Sequence, residues 1–401
     1  MGNHVLITDY LWFQEGPGVR NTQYTSSGVK LLNVANFVDG NIDLSTSSRY
    51  ISDEEAYGKY KHFLVDEGDF LIASSGIQVD YFEKKMGFIR PDQLPLCMNT
   101  STIRFKNLEP NDLDMRYFMY YLKSNAFKNQ LAKHIVGSAQ LNFGPSHLKK
   151  MTFPVVNIEK QRYIVENLDK LYTLIALRKE QLAKLDQLVK SRFIELFGTV
   201  KNNPHGYPVV KIGECAKLQG GFAFKSSDYI DDGIRLVQIS NVNKDTLDWD
   251  SVNYVPQAFL QKYKDFELHI GDLVLAMTRP VIKSLDAVKI ATVSEYDVPS
   301  LLNQRVGRFV IDRAKLNVVY LMSCCQMTEF REYVEAMSGN SLQPNISSKQ
   351  VENYSIILPP MELQEQFASF VKQTDKSKVA IQHSLNKLEL LKKSLMQEYF
   401  G

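Results

Sequence analysis

The chain repeats itself, and this limits how it can fold more than any other feature. Residues 14–21 read QEGPGVRN and residues 219–226 read QGGFAFKS. Sliding residues 5–37 onto 210–242 without a gap brings Gln14 onto Gln219, Gly16 onto Gly221 and Arg20 onto Lys225. Tyr24 meets Tyr229, Gly28 meets Gly233, and GVKLLNVANF falls on GIRLVQISNV. Further along the offset becomes 203. EGDFLIA (67–73) then falls on IGDLVLA (270–276), and Tyr117 and Met119 fall on Tyr320 and Met322. Ser138, Gln140 and Asn142 fall on Ser341, Gln343 and Asn345, and KSRFIELFG (190–198) falls on KSLMQEYFG (393–401). Self-similarity on this scale predicts two copies of one folded unit.

Within each copy the texture changes once. VKLLNVANF, DFLIASS and TIRFK are short β-branched and aromatic runs between turn residues, and read as strands. DMRYFMYYLKSNAFKNQLAKHI has apolar residues at helical spacing and reads as one helix. The last quarter differs: residues 158–197 contain neither Pro nor Gly. Heptad a positions there are Leu168, Ile175, Leu182, Val189 and Leu196; d positions are Leu171, Arg178, Leu185 and Arg192. In the second copy they are Val371, Lys378, Leu385, Lys392 and Tyr399, with Thr374, Ile381, Leu388 and Leu395. A helix of about 40 residues, about 60 Å long, is expected in each copy. Its apolar stripe needs a partner, and each helix is the natural partner of the other in an antiparallel coiled coil. Arg and Lys in the seam weaken it and leave room for a further partner. The expected fold class is α+β, a tandem duplication of an α/β domain, each followed by a long helix. The expected boundaries are 1–156, 157–198, 199–359 and 360–401, with residues 199–208 as a loop between copies.

Composition excludes little. Lys+Arg is 47 against Asp+Glu 45, mildly basic, which permits a nucleic-acid partner without requiring one. Cys97, Cys215, Cys324 and Cys325 form no C-x-x-C pair, and no HExxH occurs, so neither structural zinc nor a disulfide framework is expected. That pattern suits a reducing compartment. No basic leader and no 18-residue apolar run is present, so no membrane span is expected. The Asn/Asp-Pro-Pro-aromatic loop of DNA amino-methyltransferases is missing, and so is a Gly-Lys-Ser/Thr phosphate loop. One metal-nuclease pattern occurs: Asp69, then Glu83 and Lys85, in which two carboxylates would hold Mg²⁺ and a lysine would steady a water. Solvated surface charge is the competing reading.

Two α/β copies, each closed by a long helix ending in KSRFIELFG or KSLMQEYFG, resemble the specificity subunit of a type I restriction-modification system. The junction pattern of that family is a Gln-x-Asn, a Pro-rich turn, then Glu-Gln opening the helix. The second copy carries Gln343, Asn345, Pro359, Pro360, Glu365 and Gln366; the first departs, with Val155-Val156 after Pro154 and Lys160-Gln161 for Glu-Gln. The resemblance implies two target-recognition domains reading the halves of a split, asymmetric double-stranded DNA sequence, with the helices as a spacer. It implies docking of two modification subunits, which bring S-adenosylmethionine and methylate adenine. Two restriction subunits would use ATP and Mg²⁺. The subunit itself would be cytoplasmic, non-catalytic and without a cofactor of its own. The alternatives are the nuclease using Asp69, Glu83 and Lys85, and a coiled-coil protein scaffold.

For DNA contact the favoured residues follow a glycine turn or a strand end, where side chains can leave the scaffold. They are Arg20, Asn21, Ser74, Ser75 and Gln78 in the first copy, and Lys225, Ser226, Thr278 and Arg279 in the second. Gln140, Asn142, Gln343 and Asn345 recur in both copies, which points to scaffolding or shared backbone contacts. Lys149, Lys150 and Lys349 are further phosphate candidates, and Tyr24 and Tyr229 read as core.

Overall fold

The computed structural model describes residues 3–134, 141–339 and 343–401, with backbone alone at Ile77, Asp80, His134, Leu141 and Asn142. Each copy opens with a strand paired antiparallel to the strand that leads into its long helix. Asn3–Leu6 pairs with Thr152–Val155, and Val209–Lys211 with Ser355–Ile357.

The main sheet of the first copy comprises β1 (Leu11–Glu15), β2 (Phe70–Ala73), β3 (Met86–Phe88) and β4 (Thr102–Asn107), in the order β1-β4-β2-β3. That of the second comprises β5 (Ala216–Gly220), β6 (Leu273–Ala276), β7 (Ile290–Thr292) and β8 (Val306–Ile311), in the order β5-β8-β6-β7. The edge of the second sheet is extended by Lys244–Asp245, parallel to β7. Register is preserved: Arg104 lies opposite Gln14 and Leu71, and Arg308 opposite Gln219 and Val274. A smaller three-stranded sheet also repeats, with Val29–Leu32 or Ile234–Val237 in its middle. FLIA and LVLA are buried at every position, as strands covered on both faces must be.

The run expected as one helix is two, Met115–Lys123 and Asn125–His134. Ser124 between them is extended (φ −75°, ψ 156°), and its hydroxyl oxygen accepts from the Phe127 amide. A serine that bonds a nearby amide competes with the helix and restarts it. The second copy breaks at Met327, between Val318–Gln326 and Thr328–Ser338.

The long helices are α1 (Ile158–Phe197) and α2 (Met361–Phe400), 40 residues each. Gly198, at φ +73°, ends α1 in the left-handed conformation that suits a glycine. Both helices start on a buried glutamine. Gln161 accepts from the Asp114 amide and donates to the Asp112 and Val156 carbonyls. Gln364 accepts from Asn317 and donates to Lys315 and Pro359. The counterpart of Gln161 is therefore Gln364, two residues before the Gln366 matched to it by sequence.

The chain forms two compact units, residues 1–178 with 384–401, and residues 179–383. In the first, Leu168 and Tyr172 of α1 pack with Leu395, Met396 and Tyr399 of α2. In the second, Val189, Phe193 and Leu196 of α1 pack with Leu363, Phe367 and Val371 of α2. The helices run antiparallel, and every a and d residue expected from the heptads is buried or half-buried. The aromatic ends are reciprocal. Phe400 sits 5.2 Å from Tyr117 in the first unit, and Phe197 sits 4.9 Å from Tyr320 in the second. Tyr117 and Tyr320 each donate to a carbonyl of the strand before a long helix, Pro154 and Ile357.

Candidate nucleic-acid interface

The repeated Gln and Gly of the opening motif have structural jobs that recur in both units. Gln14 Oε1 accepts from Arg104 Nη2 at 3.0 Å, and Gln219 Oε1 from Arg308 Nη2 at 2.7 Å. Arg104 also reaches Asp69 (3.3 Å) and the Leu64 carbonyl (2.7 Å); Arg308 reaches Asp272 (3.3 Å) and the Glu267 carbonyl (2.6 Å). One arginine thus ties the glycine-loop strand, β2 or β6, and the preceding loop together. A Cβ on Gly16 would stand 2.1 Å from the Asn99 carbonyl oxygen, and one on Gly221 2.2 Å from that of Asn303. The close approach that these glycines permit is to the chain's own backbone.

That backbone belongs to a turn, residues 99–102 and 303–306, which sequence reasoning missed. It touches both sets of favoured residues. Gly16 donates to the Thr102 carbonyl and Gly221 to that of Val306. Ser74 N donates to the Ser101 carbonyl at 2.8 Å, and Met277 N to that of Arg305 at 2.7 Å. Ser101 and Arg305 both hold positive φ, +64° and +68°. The signal was present in the sequence: Asn99 and Asn303 recur at an offset of 204, directly after matching strands.

The Gln-x-Asn motifs join the same knot. Asn142 pairs with Ser75 as an antiparallel strand neighbour, and Asn345 bridges Thr278. The Thr278 hydroxyl donates to Asn345 Oδ1, and Arg279 N donates to the Pro344 carbonyl at 2.8 Å. Gln140 lies outside the described residues, and Gln343 is exposed. Ser74 and Thr278 are buried. Thr278 supports the loop through its hydroxyl, whereas Ser74 does so through its backbone, donating to the Ser101 carbonyl and accepting from the Phe143 amide. Ser75 is half-buried, its hydroxyl bonded to that of Ser101 at 2.7 Å, while Gln78 and Arg279 are exposed.

Arg20, Asn21, Lys225 and Ser226 are exposed at the start of one-turn helices, Asn21–Gln23 and Ser226–Asp228. The amides of Arg20 and Lys225 donate to Gln23 and Asp228, which fixes the turn and leaves both cationic side chains free of ion pairs with described residues. Tyr24 and Tyr229 pack on small satellite cores. Lys149, Lys150 and Lys349 are exposed on or beside short helices.

The nuclease alternative is not favoured. Asp69 is 7% exposed and ion-paired with Arg104. Lys85 Nζ donates to the Phe37 carbonyl at 2.7 Å, and in the second unit Lys289 Nζ donates to the Ile239 carbonyl at 3.2 Å, in the matching segment but not at the matching residue. A lysine bonded to a backbone carbonyl of the corresponding segment in both copies is a scaffold residue. Among the described residues no His/Cys/Asp/Glu cluster could hold a metal ion, all four cysteines are buried and unpaired, and no helix is long and apolar enough to cross a membrane.

The sequence pattern described as the type I restriction modification DNA specificity domain matches residues 21–187 and again 204–391. The chain belongs to this family. Specificity-domain relatives include the type I restriction enzyme MjaVIII specificity subunit of Methanocaldococcus jannaschii, 27% identical over 84% of this chain and 79% of the relative. The EcoAI specificity subunit of Escherichia coli is 27% identical over 49% of this chain and 33% of its own length. Among solved structures, the S subunit of the type I restriction-modification system from M. genitalium superposes with a TM-score of 0.57 at 14% identity, covering 100% of this chain and 96% of the other. That likeness shows the fold alone. The two family matches fall one on each copy, so the internal repeat is a tandem pair of specificity domains.

Proposed function

We propose that this specificity subunit reads a split, asymmetric double-stranded DNA target, one half per unit, and catalyses nothing itself. Recognition domains 1–156 and 199–359 carry the reading, and helices 157–198 and 360–401 serve as spacer and as the dock for two modification subunits. S-adenosylmethionine, and the ATP and Mg²⁺ of two restriction subunits, belong to those partners, and the assembly works in the cytoplasm. The observation that carries the reading is the loop knot. Both units keep its frame, Asn142 on Ser75 and Asn345 on Thr278, while the neighbouring side chains diverge. A shared frame with divergent side chains is what two related readers of different half-sites need. Arg20, Asn21, Ser75 and Gln78, with Lys225, Ser226 and Arg279, are the contacts assigned to DNA; Ser74, Thr278, Asn142 and Asn345 hold the loops.

The test is to co-express the chain with its candidate modification subunit and map methylated adenines across the host genome. A split motif methylated on both strands, and lost without this chain, is expected. A complex that copurifies yet adds no methylation, together with DNA affinity indifferent to salt, would favour the scaffold reading. Phosphate contacts make binding fall steeply as salt rises.

A further inference from the structure

Two arginines of the second unit stand in backbone conformations that L side chains seldom adopt. Arg279 has φ +47° and Arg305 φ +68°. The first unit fills the same two places with Gly76 (φ +69°) and Ser101 (φ +64°). The unusual backbone is thus part of the shared frame, and at one of the two places a glycine satisfies it. An arginine kept where a glycine fits the same path points to a use for its side chain.

The two arginines belong to one knot. The Arg305 carbonyl accepts from Met277 N, and Arg279 N donates to the Pro344 carbonyl. Arg305 Nη1 lies 3.5 Å from the Thr278 hydroxyl oxygen, whose proton goes to Asn345. Thr278 therefore presents a lone pair toward the guanidinium and helps to aim it. Both arginine side chains are exposed, and neither has an ion pair with a described residue. The neighbouring Lys289 is already committed to the Ile239 carbonyl. A guanidinium that is exposed and free of carboxylate, as both are, matches the paired acceptors O6 and N7 on the major-groove edge of guanine, and that of Arg305 is also aimed by Thr278. Gly76 and Ser101 offer no such cation in the first unit.

We propose that Arg279 and Arg305 are specificity-determining residues, and that they require guanine in the half of the target read by the second unit. The proposal rests on the DNA-reading function above. The test is selection from a random duplex library by the full-length chain assembled with its modification subunits, comparing wild type with Arg279→Gly and Arg305→Gly. Glycine keeps the left-handed backbone, so thermal unfolding midpoints at or above wild type will show that folding is intact; Arg305→Lys adds a variant that keeps the charge. The wild-type motif is expected to contain guanine in one half. Each glycine variant should lose discrimination at one guanine by roughly 10- to 100-fold, with the other half unchanged, and Arg305→Lys should not restore it. Motifs unchanged in both variants would overturn the proposal. So would a loss uniform over all sequences with a salt slope lower by about one, the mark of a phosphate contact. A wild-type assembly that enriches no motif would instead remove the DNA-reading function itself.

Discussion

At the scale of single residues, the duplicated arginine node is where charge and packing meet. The Arg104–Asp69 pair is 5% and 7% exposed, and the Arg308–Asp272 pair 15% and 18%. Removing one partner of a buried pair leaves the other charge desolvated, at a cost of about 3–5 kcal/mol. Arg104→Ala is therefore expected to cost about that much, and Arg308→Ala less, because water already reaches the second pair. Urea unfolding with hydrogen exchange read separately in each unit checks the order, and equal losses would contradict it. Lys123 poses the opposite case. Burial pushes its ammonium down to about 8, against the pull of Glu83 and Asp169. The ammonium lies 5.2 Å from the Tyr120 ring centre and 4.9 Å from that of Tyr172. Below pH 8 both states hold the proton, and folding carries the cost of burying it. Between about 8 and the unfolded value near 10.4 only the unfolded chain holds it, so stability rises with pH. Lys123→Met should raise stability at pH 7 by roughly 1–3 kcal/mol and flatten that rise in a series of melts.

At the scale of elements, each unit's core is finished by an aromatic residue from the far end of a long helix. Phe193 stacks on Tyr320 at 5.4 Å, beside Phe197, while Phe400 meets Tyr117 and Tyr121. Phe→Ala in such a site costs about 3–5 kcal/mol. Phe197→Ala should loosen the second unit and Phe400→Ala the first, and hydrogen exchange in the helices Val318–Gln326 and Met115–Lys123 distinguishes the two. The sequence carried the long helices clearly, because a 40-residue stretch free of Pro and Gly with a seven-residue apolar period has few other ways to fold. It hid the break at Ser124, since one serine inside an apolar period reads as a tolerated guest rather than as a cap. It also hid the register of Gln161 with Gln364: the nearby Glu365-Gln366 looks the better match until the carbonyls that each buried glutamine satisfies are known. The candidate site was half legible. Strand ends and glycine turns drew attention to Arg20, Ser75 and Arg279, but burial of Ser74 and Thr278 depends on the turn at 99–102 and 303–306. That turn lies far from both segments in sequence, and no local pattern signals its positive φ at Ser101 and Arg305.

At the scale of the whole molecule, the way the chain closes on itself sets a condition on exchanging its parts. Residues 384–401 complete the first unit, and residues 179–197 belong to the second. A foreign recognition domain placed over residues 1–153 must therefore bring its own seat for Phe400, equivalents of Tyr117 and Tyr121, or the C-terminal turn of α2 loses its packing. On the proposed function, a chimera that keeps both tyrosines should fold, bind modification subunits through the unchanged helices, and direct methylation to a motif altered in one half only. The same exchange with both tyrosines changed to alanine should lose the fold of that unit, and with it recognition of that half. Mapping methylated adenines for the two chimeras side by side separates the readings. A motif altered in both halves would mean that the units do not read independently, and the division of labour proposed here would fall. An unchanged motif would place base reading outside the first unit altogether, and Arg20, Asn21 and Gln78 would then be surface residues of a scaffold.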